Sequence, residues 1–289
     1  MMRLIDKLTK SFVLTAEVDP PRGADPGPTL KQALLLRGYV DAVNVSDAPM
    51  ANLRMNSFML AHLIQHHTGV EAIPHLTARD RNVLALQADL LGAWALGVKN
   101  VLVLGGDPPE RGDHPRAKPV YEFGAVGLVQ TVSRLNRGEN LAGGALEGAP
   151  DLTAGVAVNP GAPDLAAEAE KFWAKVEAGA RFAQTQPVFC PETAAAFLDA
   201  LGGRSPVPLL WGVLPLRSAK MARNVARWTR VPEALVADLE REGREAGMRA
   251  AQGVLRELHA AGMDGAHLYP LGQVELLKEM LKPLGARLG

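Results

Sequence analysis

Short apolar runs rich in Val, Leu and Ile alternate along this chain with longer stretches in which apolar residues recur at helical spacing. Runs without polar alternation suit strands buried on both faces, as in a parallel sheet flanked by helices. Eight such runs predict strands at 12–17, 41–46, 71–76, 100–105, 153–158, 181–186, 208–213 and 265–269. Helical patterns fill the gaps, most clearly over 56–67, 82–97, 164–179 and 233–262, the last long enough to be broken or paired. Several end at Gly, which accepts the left-handed conformation of a helix C-terminus. Eight βα units joined by right-handed crossovers predict an α/β fold of one kind, a single (β/α)8 TIM barrel occupying 1–289 as one domain. An open doubly wound sheet is the lesser alternative, because no G-x-G-x-x-G follows the first strand.

Two segments are too long and too rich in Gly, Pro and charge for simple connections, 106–123 and 136–151. The first follows the fourth strand at its C-terminal end, where barrel enzymes carry their chemistry. Composition narrows the partners. The 31 basic and 31 acidic residues cancel and form no basic cluster, which argues against nucleic acid. No apolar run approaches the ~20 residues that span a bilayer. The single cysteine, Cys190, forms no internal disulfide, and the polar start lacks a signal-peptide core, so a cytoplasmic location is expected.

Polar residues at strand C-termini are the site candidates in a barrel whose interior is packed with apolar layers. In chain order they are Glu17 with Asp19, Ser46 with Asp47, His75 with Thr77, Asp107, Asn159, Gln184 with Gln186, and a weaker position at Tyr269. Glu17 ends an apolar strand before Pro20-Pro21, where desolvation would raise its pKa toward that of a general acid; it could equally cap the next turn. Asp107 follows Gly105 and Gly106, whose missing side chains admit a planar ligand, or it simply starts a turn. His75 reads as readily as a satisfied strand-end histidine. His62 and His66 stand four apart on a helix without a third ligand, so no metal site is expected. Cys190 has no His or Cys partner and reads as inert, and the GGALEG stretch lacks the Lys-Ser/Thr of a phosphate loop.

These strand-end residues resemble those of the methylenetetrahydrofolate reductases. The resemblance runs through AEVDPP with Glu17, PHLTARDRN (74–82), LGVKNVLVLGGDPP (96–109), KVEAGARFAQTQPVF (175–189) and GVLPL (212–216), in the family's order. The segments 46–57, 132–138 and 157–165 are most similar to the reductase module fused to some bacterial homocysteine methyltransferases. The resemblance implies a barrel binding FAD, and NAD(P)H-driven reduction of 5,10-methylenetetrahydrofolate to 5-methyltetrahydrofolate for methionine synthesis. It implies Glu17 as general acid, Asp107 beside the flavin ring, and Gln186 on the folate pterin. Ser46, His75, Gly106, Asn159, Glu168 and Lys175 fall where the family contacts FAD, with Lys175 suited to the pyrophosphate by charge. Gly105 stands in place of an arginine, Asn159 of a tyrosine and Ala219 of an aromatic, and HLYPLGQ replaces a Thr-Leu-Asn sequence. The departures at Gly105 and Asn159 keep a flavin-free reductase open; a folate-binding subunit of a complex that does not itself oxidise NAD(P)H is a second alternative, against which the retained Glu17, Asp107 and Gln186 argue. Homo-oligomer or partner subunit is equally open.

Overall fold

The computed structural model describes residues 3–283; residues 1–2 and 284–289 of the predicted domain lie outside the described residues. Eight parallel strands close into a barrel in chain order. They are β1 Val13–Val18, β2 Ala42–Val45, β3 Glu71–Thr77, β4 Asn100–Leu104, β5 Thr153–Val158, β6 Phe182–Pro187, β7 Leu209–Val213 and β8 Gly265–Leu268. Each coincides with a predicted strand to within one residue at either end. The fold is a (β/α)8 TIM barrel.

The surrounding helices are α1 Leu4–Leu8, α2 Gly27–Leu36, α3 Ser57–Thr68, α4 Val83–Ala95, α5 Ala125–Asn136, α6 Leu165–Glu177, α7 Pro191–Ala200, α8 Ala219–Val225, α9 Glu233–Glu242, α10 Arg244–Ala260 and α11 Val274–Leu281. Asn56, Asn82, Asp164 and Ser218 each begin a helix by accepting a backbone N–H of its first turn. The long predicted stretch 233–262 divides between α9 and α10 at Gly243.

Side chains alternate between the two faces of each strand, and the outward set forms the main core. Val43, Leu76, Val103, Val156 and Trp211 pack there against helix residues such as Leu60, Leu86, Leu128, Phe172 and Phe197. Fully burying one such side chain contributes about 1.5–3 kcal/mol. The inward set closes the barrel floor. Val13, Ala42, Ile73, Phe182 and Leu210 meet Leu4, Ile5 and Leu8 of α1, which lies across the N-terminal end of the barrel. Gly155 makes room for the Phe182 ring, since a Cβ at 155 would lie 2.2 Å from it.

Above this floor the interior is polar, in contrast to the apolar layers expected from the sequence. Thr15, Asn44, His75, Gln184 and His267 all point inward and are buried. The loop 136–151 joins α5 to β5 and therefore lies at the N-terminal end of the barrel. Asn136 pins its exit by bonding both the N–H and the carbonyl of Leu152. Only 106–123, of the two long loops, borders the C-terminal mouth. Among the described residues, no helix is long and apolar enough to cross a membrane.

Candidate active site

A cavity of about 530 Å³ opens at the C-terminal mouth, and its wall repeats one pattern. Five of the strands send two polar residues inward, two positions apart: Thr15 and Glu17, Asn44 and Ser46, His75 and Thr77, Gln184 and Gln186, His267 and Tyr269, while β4 and β5 line the cavity with Leu102, Leu104 and Ala157. The upper members face the opening and the lower members form its base.

Glu17 is held among Ser46, His267 and Tyr269 around the cavity wall. Burial, and secondly the negative charge of Asp19, push its carboxyl up to about 7, and the Ser46 hydroxyl offsets part of that rise. Ser46 Oγ is itself buried without a well-formed hydrogen bond within the chain. Burial, with the Glu17 charge second, also raises the Tyr269 phenol, so it stays protonated; its hydroxyl donates to the Thr185 carbonyl at 2.9 Å.

The base of the cavity is a continuous string of hydrogen bonds. Thr15 Oγ1 lies 2.8 Å from His267 Nδ1 and accepts from Gln184 Nε2 at 3.4 Å. Gln184 and Asn44 exchange reciprocal amide bonds of 2.8 and 3.1 Å, and Asn44 Nδ2 reaches His75 Nε2 at 3.0 Å. Burial pulls His75 down to about 4, against a smaller upward pull from Asp47.

The register between β6 and β7 slips after Gln184. The Gly212 N–H bonds the Thr185 hydroxyl, which donates in turn to the Gln186 carbonyl. Such an irregularity re-aims a side chain. Gln186 lines the cavity, and its amide has no hydrogen-bond partner among the described residues.

Asp107 stands at the rim, 42 % exposed, where it does more than face the cavity. Its Oδ2 accepts the Met50 N–H at 3.0 Å, and Asp113 accepts the Leu53 N–H in two bonds of 3.0 and 3.1 Å. The loop after β4 thereby grips the loop after β2, in which Ala48, Met50 and Ala51 all have positive φ. Strain of this kind persists where surrounding contacts enforce it and gathers around functional sites. Arg79 adds a second tie, donating to the carbonyls of Ala48 and Asp107 at 3.3 Å each. Gly106 adopts φ +90°, and a Cβ there would press on Thr77 and Arg79. Next to it, Gly105 has open space where a side chain would be.

Asn159, Glu168 and Lys175 are gathered beside β5, outside the cavity lining. Glu168 accepts the Asn159 N–H at 2.9 Å, the Asn159 carboxamide oxygen accepts from Gly161, and Lys175 Nζ donates to the Ala157 carbonyl at 2.7 Å. Burial lowers the Lys175 pKa, with the Glu168 charge opposing that fall. Ala219 begins α8 in a small apolar cluster with Leu214 and Leu216.

Sequence reasoning missed Thr15, Asn44, His267 and Arg79. For the first three, a signal was present: each sits two positions before a strand-end candidate. Asp47, predicted with Ser46, lines the cavity but is committed to a buried network, accepting from Thr77 N, Thr77 Oγ1 and Arg81, whose Nη1 lies 2.6 Å away. Breaking one side of a buried ion pair costs about 3–5 kcal/mol. Asp47→Ala should therefore lower the melting temperature by roughly 10 °C, and calorimetry beside Arg81→Met would check it. A milder loss in Asp47→Ala than in Arg81→Met would contradict this account.

His62 Nδ1 lies 2.9 Å from the Leu96 carbonyl, and among the described residues no group of three or more His, Cys, Asp or Glu could hold a metal ion. Cys190 is half-buried beside Thr193.

Among solved structures, one from Aquifex aeolicus VF5 superposes with a TM-score of 0.56 at 13% identity, covering 100% of this chain and 99% of the other. A 2,3-dimethylmalate lyase superposes with 0.53 at 12% identity, covering 98% and 87%. At such identities the likeness is one of fold. Sequence relatives are more informative. A 5,10-methylenetetrahydrofolate reductase of Pectobacterium carotovorum subsp. carotovorum is 27% identical, covering 94% of this chain and 89% of the relative. Another, from Salmonella typhimurium, is 28% identical over 78% of this chain and 74% of its own length. The methylenetetrahydrofolate reductase family model matches residues 1–285. The chain belongs to the methylenetetrahydrofolate reductase family.

Proposed function

We propose that this protein reduces 5,10-methylenetetrahydrofolate to 5-methyltetrahydrofolate with NAD(P)H and bound FAD, supplying methyl groups for methionine synthesis. The observation that carries the reading is Glu17, a carboxyl raised to about 7 at the wall of the mouth cavity. A carboxylic acid that keeps about half its population protonated at neutrality suits general acid catalysis. Glu17 delivers its proton to the folate nitrogen that leaves as the five-membered ring opens to the iminium. The Asp107 charge at the rim favours that cation, and the free amide of Gln186 pairs with the pterin.

The residues at the mouth suit a flavin ring. Gly105 leaves one edge open, Gly106 keeps the backbone flush, and the Ser46 hydroxyl is buried without a good partner. Ser46, His75, Gly106 and Asp107 would hold the ring; Asn159, Glu168 and Lys175 would hold the remote end by exchanging their present internal bonds. Bound there, the flavin supplies hydride relay from nicotinamide to folate. A cavity of about 530 Å³ lies in the range of single-ligand pockets, which suits a donor and an acceptor that take turns.

A flavin-free reductase is the second reading, favoured by the internal bonds of Lys175 and Glu168. Anaerobic titration of the purified protein with NADH and NADPH separates the two. Bleaching of a bound flavin absorbance, reversed by methylenetetrahydrofolate, is expected. A colourless protein that oxidises nicotinamide only when folate is present would establish the second reading, and no nicotinamide oxidation at all would make the chain a folate-binding subunit.

A further inference from the structure

The hydrogen-bond string at the cavity base has a direction. An amide nitrogen only donates, so Asn44 Nδ2, 3.0 Å from His75 Nε2, makes that ring nitrogen the acceptor. The His75 proton then sits on Nδ1. At the other end, Gln184 Nε2 donates to Thr15 Oγ1; His267 Nδ1, at 2.8 Å, is the one acceptor among the described residues for the buried Thr15 hydroxyl hydrogen, and leaving that donor unsatisfied would be costly, so Thr15 donates to His267 Nδ1. The His267 proton then sits on Nε2.

Each histidine thus spends one ring nitrogen as an acceptor at the base of the barrel and keeps an N–H on the other. Those second nitrogens have no partner among the described residues, and both rings line the cavity. A ring whose inner nitrogen faces a donor cannot take up a second proton without breaking the string. Burial acts in the same sense, drawing His267 down to about 3 with the nearby His75 adding to the effect. The Asn44–Gln184 amide pair lies between the two rings, and its orientation fixes the His75 acceptor directly and the His267 acceptor through Thr15.

We infer that His267 is a ligand-facing hydrogen-bond donor, fixed with its proton on Nε2 by the Thr15 hydroxyl, which recognises a ring-nitrogen or carbonyl acceptor of a pterin-type heterocycle. This rests on the folate reading proposed above. Thr15 acts through His267 and is a positioning residue. His267 is additionally braced edge-on against the Tyr269 ring, 4.5 Å between centroids, so the donor is fixed in direction as well as in tautomer.

Long-range ¹H–¹⁵N correlation spectra of the full chain at neutral pH report ring tautomers directly. His267 is expected wholly as the Nε2–H form and His75 wholly as the Nδ1–H form; the reverse pair, or mixtures, would overturn the inference. Thr15→Val should leave the His75 form in place while His267 becomes a mixture, and Thr15→Ser should restore it. With 5-methyltetrahydrofolate as the probe, the His267 Nε2–H signal should move on saturation, and Thr15→Val should weaken binding about five- to tenfold with Thr15→Ser near wild type. Binding with a silent His267 signal sinks the inference alone. Absence of binding to wild type sinks the folate reading and the ligand assigned to His267 with it, while the tautomer spectra stand separately.

Discussion

Glu17→Gln is expected to leave flavin reduction by nicotinamide nearly unchanged while slowing reoxidation by methylenetetrahydrofolate by about 10²- to 10⁴-fold, the usual contribution of a positioned general acid. Hydride transfer from nicotinamide needs no proton at the folate ring, whereas opening the methylene bridge does. Stopped-flow measurement of the two half-reactions separates the steps. In the wild type, the reoxidation rate should fall as pH rises through about 7, where Glu17 loses its proton, and Glu17→Gln should lack that limb. The stability consequence has the opposite sign. The folded-state pKa lies above the ordinary value of 4.5, so the folded chain binds the extra proton and stability falls as pH rises from about 4.5 through about 7. At pH 8 the ionised carboxylate costs at most about 3 kcal/mol, less because the carboxyl opens onto the cavity. Glu17→Gln should therefore melt higher than wild type at pH 8 and close to it at pH 4. Equal loss in both half-reactions, with no gain in melting temperature at pH 8, would make Glu17 a structural residue.

The barrel was legible because its strands are buried on both faces. A parallel strand under helices must be apolar almost throughout, and runs such as 100–105 and 208–213 carry that requirement openly. Glu17, Ser46, His75, Asp107 and Gln186 were legible because a strand end is the one place where such a run meets the mouth, and all five line the cavity. The polar layer below them was hidden by the same rule. Thr15, Asn44 and His267 sit within short apolar strands, and apolar filling is the ordinary state of a barrel interior. Their polarity is tolerated because each is satisfied by another residue of the layer, over sequence separations of 140 and 252 residues that no local pattern reveals. Arg79 was out of reach for a different reason. Its place depends on the left-handed turn at Ala48 and the path of the loop after β4, both tertiary outcomes. Asn159 was also legible as a strand-end residue, whereas Glu168 and Lys175 came from family resemblance alone; Glu168 bonds the Asn159 N–H, Lys175 bonds the Ala157 carbonyl of β5, and Asn159 Nδ2 reaches the Trp228 carbonyl.

Asp107 joins two of these threads, since its carboxylate both faces the cavity and grips the Met50 N–H of the opposite loop. Asp107→Asn separates the roles, because an amide oxygen still accepts from Met50 while the charge is gone. At an effective dielectric constant of about 20–40, a charge about 5 Å from a developing cation is worth roughly 2–3 kcal/mol. With the side chain 42 % exposed, solvent screening favours the lower end. Asp107→Asn is therefore expected to slow reoxidation by methylenetetrahydrofolate roughly 10- to 100-fold while the melting temperature stays near wild type. Asp107→Ala removes the loop tie as well, leaving three non-glycine residues at positive φ without that anchor. It should slow the same step further and raise proteolytic cleavage in the segment 47–56. If Asp107→Asn reacts at the wild-type rate and only Asp107→Ala is impaired, the carboxylate serves the loop and not the iminium. The cation would then have to be stabilised from elsewhere on the cavity wall, with Glu17, once deprotonated, as a candidate.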